Sequence, residues 1–260
     1  MVKAGRGRQP YRRASPLGHS GLQTPDKDGF ITLGPPPPGR FHLLRDPSLL
    51  NVPKLYRFLD ERGHAEAFCR GEIWTTTLHI CRHREDVARA DRGEGKHTYK
   101  NLSVVAGSAS DPKVQAVVRK LGLPPIGGGR VSLYANLAER TMPDTHLLCL
   151  SYRSDAEAMS KFGKYCIEIS QPVEFFRHLS YATQRQRARM SWARIAPVVY
   201  RPREYCDDEP EPGMMGFVKP ESYKSEEEVR LLWMPFDEGP IGPGLLKSPE
   251  AGALCRIIAG

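Results

Sequence analysis

The amino-acid sequence predicts an α+β fold in which a mixed sheet carries short flanking helices. Short runs rich in β-branched and aromatic residues, such as Glu72 to Leu78 and Thr145 to Tyr152, are typical of strands. Segments that begin at Asp or Pro and end at Gly are typical of helices, as from Asp111 to Lys120. The two kinds of segment alternate without a regular βαβ rhythm, so we do not expect a doubly wound parallel sheet.

The first part of the folded region should contain two strands around one helix. Asp60 is placed to cap that helix, because its carboxylate can accept from the first free N–H groups. Gly71 is suited to end it, because glycine readily adopts the left-handed conformation. The predicted elements are a strand from Lys54 to Leu59, a helix from Glu61 to about Arg70, a strand from Glu72 to Leu78 and a charged loop from His79 to Asn101.

The later elements follow from the same signals. An acidic, Pro-rich stretch from Arg201 to Gly216 is expected to be a mobile surface loop. Trp74 and Trp233 are expected to be buried, since each lies in an apolar strand. The other predicted elements are strands from Thr145 to Tyr152, Lys164 to Ile169, Ile195 to Tyr200 and Glu227 to Met234, and helices from Asp155 to Phe162 and from Pro172 to about Leu179, the last able to continue to Met190.

Composition divides the chain into three regions. Residues 1–50 are rich in Pro, Gly and Arg, with a run of prolines from Pro35 to Pro38, and are expected to form a disordered basic arm. Residues 51–236 are expected to form a single α+β domain. Residues 237–260 are expected to form a Gly/Pro-rich C-terminal tail.

Charge and cysteine content bound the partners and the compartment. The formal net charge is +8, and Arg185, Arg187, Arg189 and Arg194 form a basic cluster. Such a cluster is consistent with nucleic-acid binding and is equally typical of a solvated helix face. No apolar run reaches the roughly 18 residues that a membrane span needs, and no apolar segment follows the basic N-terminus, so we expect a cytoplasmic protein without a membrane partner.

Three segments carry a family resemblance. They are Leu55 to Phe58 (LYRF) followed by Gly71 to Trp74 (GEIW) and three threonines; Leu147 to Ser151 (LLCLS) followed by Tyr165 to Ile169 (YCIEI); and Lys219 followed by Tyr223 to Arg230 (YKSEEEVR). Together they resemble the bacterial family named domain of unknown function 2971. Asp91, Glu94 and Gly95 stand for the acidic turn of that family, and a tryptophan of the second segment is missing here. The family has no settled activity, so the resemblance leaves function open.

The closing segment places charged residues on one face of a strand. Side chains alternate along a strand, so Glu226, Glu228 and Arg230 share a face, and the apolar Val229 and Leu231 lie on the other. The apolar face is expected to meet the core. The charged face is then directed toward a cleft.

The order of Arg57, the threonines Thr75 to Thr77 and the Glu226-x-Glu228 pair is similar to the layout of ADP-ribosyltransferases. The resemblance implies an NAD-dependent ADP-ribosyltransferase or an NAD glycohydrolase of bacterial origin, with NAD as substrate. Glu228 would stabilise an oxocarbenium-like transition state, and Glu226 would orient or deprotonate the acceptor. The residues expected to bind NAD are Arg57, Thr75, Thr76, Thr77, Tyr223 and Arg230.

Other interpretations of these residues stay open. Glu-x-Glu-x-Arg is common on solvent-facing strands, and threonines are common in strands because of their β-propensity. The alternative function is a non-catalytic module that recruits nucleic acid or an acidic partner, and the acceptor of a transferase can be water, protein or nucleic acid. A metal site built from His79, Cys81, His83 and His97 is disfavoured, because alternate strand positions do not wrap a tetrahedral ion.

Overall fold

The computed structural model describes residues 25–33, 41–84, 91–187, 190–236, 239 and 241–260. The strands in these residues are β1 (Ile31–Thr32), β2 (His42–Arg45), β3 (Lys54–Leu59), β4 (Glu72–Thr77), β5 (Lys96–Asn101), β6 (Val105–Ser108), β7 (Arg130–Leu133), β8 (Asn136–Thr141), β9 (His146–Ser151), β10 (Tyr165–Ser170), β11 (Met190–Pro197), β12 (Val199–Tyr200), β13 (Glu204–Cys206), β14 (Val218–Lys219), β15 (Glu228–Pro235), β16 (Gly244–Lys247) and β17 (Cys255–Ala259). The α-helices are α1 (Arg62–Cys69), α2 (Leu78–Arg82), α3 (Pro112–Lys120), α4 (Pro172–Gln186) and α5 (Pro249–Gly252).

One large mixed sheet dominates the fold. Its strands follow the order β1-β2-β11-β15-β9-β3-β10-β17, with β4 joined to β9 and β16 joined to β4. β2 and β11 are parallel, whereas β15 is antiparallel to both of its neighbours, β11 and β9. Helices α1, α4 and α5 pack their apolar side chains on one face of this sheet. The predicted α+β fold, a mixed sheet with short flanking helices, is therefore confirmed.

β15 lies deep in the sheet and is buried on both faces. Val229, Leu231 and Trp233 pack into the core beneath the helices, as the alternation of the sequence predicts. The Trp233 indole N–H donates to the Ser180 hydroxyl at 2.9 Å, so the polar atom of this fully buried ring is satisfied. The opposite face of β15 carries Glu228 and Arg230, which are also buried.

Several local predictions need correction. The segment from His79 to Asn101 is not a loop throughout, because it includes α2 and β5. The inward positions of β5 carry polar side chains such as His97 and Asn101, so an apolar pattern gives no sign of this strand. Glu61, not Asp60, takes the capping position of α1, and its side chain makes no capping hydrogen bond.

Segments expected outside the domain contribute strands to it. β1 and β2 come from the predicted arm, and Phe41, Leu43 and Leu49 lie in the main core. β16 and β17 come from the predicted tail and pair with β4 and β10. Residues 1–24 and 34–40, which include the proline run, lie outside the described residues.

The stretch from Arg201 to Gly216 is tied to the rest of the fold. β13 pairs with β5, and the Arg203 guanidinium binds both carboxylate oxygens of Asp91 at 2.6–2.7 Å. A continuous surface loop is therefore the wrong description of this stretch. In the part of the chain that the structure describes, no helix is long and apolar enough to cross a membrane.

Candidate functional site

The candidate site is a cavity of about 420 Å³ at a division in the main sheet. One edge of β9 pairs with β15 from Ser151 to His146. The other edge pairs with β4 near Leu147 and with β3 at Ser151. β3 and β4 therefore diverge from β9, and the described strands leave the residues near Cys149 unpaired on that side. We call this division the fork.

The cavity brings together most of the residues that the sequence predicts. Arg57 reaches it from β3, Thr75 and Thr76 from β4, and the charged groups from the opposite face of β15 and the turn before it. The predicted residues that line the cavity are Arg57, Thr75, Thr76, Glu226, Glu228 and Arg230. Thr77 and Tyr223 are not among the lining residues.

The three threonines differ in what their hydroxyl groups do. Thr77 is fully buried and accepts from the Ile80 N–H at 3.2 Å, which caps α2. Thr75 donates to the Gly244 carbonyl at 3.2 Å and joins β4 to β16. The Thr76 hydroxyl has no hydrogen-bond partner among the described residues and faces the cavity. Thr76 is thus the threonine best placed to meet a ligand.

Glu228 is held between two cations. Its carboxylate accepts from Arg230 Nε at 2.7 Å and from Lys219 Nζ at 2.9 Å, and the Cys149 thiol also donates to it. Burial alone would raise the pKa of Glu228, but the two cations outweigh burial and hold the pKa well below its usual range. Glu228 is therefore an immobile carboxylate that stays ionised.

Arg230 is a structural cation. Its guanidinium binds both carboxylate oxygens of Glu94, donates to Glu228 and donates to the Gly216 carbonyl at 2.6 Å. These contacts engage all three guanidinium nitrogens. The carboxylates keep the pKa of Arg230 well above its ordinary value despite burial. Arg230 lines the cavity without a nitrogen left over for a ligand, which differs from its predicted role in NAD binding.

Lys219 continues the network to Glu226. Its Nζ donates to Glu226 at 2.6 Å and to Glu228 at 2.9 Å, and it lies 4.6 Å from the centre of the Tyr223 ring. Tyr223 thus packs beneath Lys219 instead of facing the cavity. Glu94, Arg230, Glu228, Lys219 and Glu226 alternate in sign, and we call these five residues the ion chain.

The ion chain is close to electrically balanced. It has three carboxylates and two cations, and Lys161 at 3.3 Å from Glu226 adds a third positive charge from the surface. The sum is then zero. The charge of a ligand must consequently be matched by groups outside this chain.

Arg57 supplies such a charge. It donates to the Cys149 carbonyl at 2.8 Å, its buried Nε has no partner, and no carboxylate of the described residues lies within ion-pair distance. Burial is the largest cause that lowers the pKa of Arg57; Cys149 and, more weakly, Glu228 raise it, and Arg84 lowers it. Arg84 also lines the cavity. The fork therefore holds uncompensated positive charge beside an ionised carboxylate.

Weak signals in the sequence pointed to the site residues that were not assigned. Glu94 lies in the acidic turn and Lys219 in the closing segment of the family resemblance, but nothing local indicates that they pair with β15. Trp74, expected to be buried, is 62% exposed and lines the cavity. The expectation failed because the strand pattern does not show that the sheet divides beside this residue.

The arginine cluster does not form a compact site in the described residues. Arg194 is buried and pairs with Asp26 and Asp28, apart from the exposed Arg185, and Arg189 lies outside the described residues. Among the described residues no group of three or more His, Cys, Asp or Glu could hold a metal ion.

Comparison of the chain with protein-family models, with curated proteins and with solved structures finds no match.

Proposed function

We propose that the cavity binds NAD and that the protein cleaves the nicotinamide–ribose bond, releasing ADP-ribose to water or to a protein or nucleic-acid acceptor. The proposal depends on one observation: an uncompensated guanidinium, Arg57, and an ionised carboxylate, Glu228, line the same cavity. Cavities of a few hundred Å³ with few convergent polar groups are typical of small-molecule sites.

Arg57 is suited to bind the diphosphate of NAD. A guanidinium has five N–H donors in a rigid plane and matches two phosphate oxygens at once. In this protein one nitrogen is engaged by the Cys149 carbonyl, and Nε has no partner. A phosphate in the cavity would accept from the terminal N–H groups of Arg57 that the Cys149 carbonyl leaves free and would neutralise the charge.

Glu228 is suited to the bond cleavage. Loss of nicotinamide leaves positive charge on the ribose, and a carboxylate already fixed in place stabilises this charge without reorganisation. Arg230 and Lys219 hold Glu228 in one position. Glu226 lies on the far side of Lys219, where it can orient the acceptor.

The cysteines of the protein are consistent with an intracellular ligand. All six cysteines are free thiols, which suits the reducing cytoplasm. We propose the cytoplasmic NAD pool as the source of the ligand.

Nicotinamide release tests the proposal. Wild type should release nicotinamide from NAD, and Glu228→Gln should lower the rate by about 10²-fold or more, the effect of losing one preorganised group. Glu227→Gln makes the same chemical change at the adjacent exposed residue and should leave the rate unchanged. Arg57→Met should weaken NAD binding, whereas Arg62→Met, at an exposed position of α1, should not.

Thermal melts of every variant separate loss of chemistry from loss of fold. Thr76→Val is a further test variant that leaves the charge unchanged. It should not disturb the fold, because the Thr76 hydroxyl has no partner among the described residues. It should reduce NAD turnover and leave the melting temperature unchanged. A folded wild type that releases no nicotinamide, or Glu228→Gln with full turnover, would refute the cleavage.

A second candidate is a binding module without catalysis. The observation in its favour is that both oxygens of Glu228 already accept from cations, so its charge is largely compensated. NAD binding that depends on Arg57 without nicotinamide release would support this candidate. The version of the module that recruits nucleic acid is weaker, because Arg194 is paired within the protein.

A further inference from the structure

Trp74 is unusually exposed for a tryptophan in the main sheet, because the sheet divides beside it. It lies on β4 opposite Leu245 of β16, whereas β9 pairs with β4 only at Thr76 and Thr77, and 62% of the residue is exposed. Large aromatic side chains gain much from burial and are usually covered in the interior strands of a sheet. Its ring makes no aromatic or cation–π contact with the rest of the described chain.

The position of Trp74 relates it to the charged end of the cavity. Trp74 and Thr76 are two residues apart on β4 and share a face, and both line the cavity together with Arg57. Trp74 is open to solvent, whereas Arg57 lies inside the fork with its Nε enclosed. The cavity lining thus includes the Arg57 guanidinium, the Thr76 hydroxyl, which has no partner among the described residues, and the exposed Trp74 indole.

We infer that Trp74 is the surface on which the planar base of a nucleotide stacks while Arg57 binds the phosphate. The inference rests on the proposed function and extends it, since it names Trp74 as the residue that binds the base of the ligand. Stacking on an aromatic side chain needs only the π-face of a base and works beside an aqueous opening. A bound base would also cover the exposed indole.

Binding measurements on two ligands separate the base from the phosphate. NAD carries both groups, whereas ribose 5-phosphate carries the sugar and phosphate alone. By calorimetry, Trp74→Ala should weaken NAD binding by about 5- to 150-fold, the range that base stacking supports, and should leave ribose 5-phosphate binding unchanged. Trp74→Phe should restore most of the affinity for NAD. Tyr134→Ala, at an exposed aromatic outside the cavity, is the matched control and should change neither ligand.

Fluorescence gives a second readout. Trp233 is fully buried and Trp192 packs against Arg194, so Trp74 is the indole at the cavity. NAD should quench the wild-type emission and should quench Trp74→Phe much less. Equal losses of NAD and ribose 5-phosphate affinity in Trp74→Ala, or unchanged NAD affinity, would overturn the inference.

The outcomes distinguish this inference from the cleavage reaction. NAD binding that depends on Trp74, without nicotinamide release, removes the cleavage and supports the stacking role. Nicotinamide release with an unchanged KM in Trp74→Ala supports the cleavage and overturns the stacking role. Absence of binding for both ligands to folded wild type overturns the inference together with the proposed function.

Discussion

Replacing Glu228 by glutamine should destabilise the protein even though the two side chains have nearly the same shape. The Glu228 carboxylate accepts from Arg230 at 2.7 Å and from Lys219 at 2.9 Å, and all three side chains are buried. The amide has one acceptor oxygen and adds an N–H group that faces cationic donors. Arg230 and Lys219 would each lose a charged partner.

The expected size follows from these contacts. Removing one partner of a buried ion pair costs about 3–5 kcal/mol of stability. Glutamine retains one of the hydrogen bonds, and each Arg230 or Lys219 keeps another carboxylate, Glu94 or Glu226. We therefore expect the lower end, about 3 kcal/mol, which corresponds to a decrease in Tm of roughly 6–12 °C for a domain of this size.

The effect should depend on pH in one direction. The folded pKa of Glu228 is depressed, so its stabilisation is present above the unfolded pKa of about 4.3 and is lost as pH falls toward the folded value. Urea unfolding of Glu228→Gln and wild type should therefore differ at pH 7, and the difference should shrink progressively as pH falls below about 4 toward the folded pKa. Glu227→Gln is the control. A pH 7 difference below about 0.5 kcal/mol, the usual size of surface effects, would refute the role of the ion chain in stability.

Three further predictions concern the fold. Leu49→Ala should cost about 2–5 kcal/mol and Leu50→Ala less than about 0.5 kcal/mol by urea unfolding, because the two residues are 0% and 63% exposed; equal effects would show that the predicted arm does not pack. Burial is the main cause that lowers the pKa of His97 to about 4. Between about pH 6.5 and pH 4 the unfolded state therefore binds more protons than the folded state, and stability should fall as pH falls through this range. His97→Gln should flatten this part of the stability profile, and an unchanged slope would contradict the assignment. Gly71→Ala should lower Tm more than Gly122→Ala, since both have positive φ but only at Gly71 would a Cβ collide with backbone; similar Tm values would mean that the close approach is absent.

The sequence allowed prediction of what depends on local pattern. β3 and α3 have the expected bounds, and Asp111 caps α3 by accepting from the Lys113 N–H at 2.8 Å. The alternation along β15 correctly separated the apolar face from the face of Glu228 and Arg230. The chain order of Arg57, the threonines and the glutamates also indicated which segments meet at one cavity.

The rest depends on long-range pairing, which local pattern does not encode. Arg230 was expected to meet a ligand, but Glu94, 136 residues away, takes its guanidinium. Trp74 was expected to be buried, but the division between β3 and β4 opens the space beside it. β16 and β17 lie in a stretch whose Gly and Pro content suggested a tail. Strands form there nonetheless, because short strands need few residues and gain stability from their partners.

The two strands that diverge at the fork, β3 and β4, are supported by strands that come late in the chain. β16 pairs with β4, and β17 pairs with β10, which in turn pairs with β3. The Thr75 hydroxyl and the Gly244 carbonyl that it contacts are 169 residues apart. At a translation rate of about 5–20 residues per second, roughly 10–30 s pass between the synthesis of β4 and the synthesis of this partner. The pairing that completes this side of the cavity therefore forms only after Gly244–Lys247 have been made, long after β3 and β4 themselves.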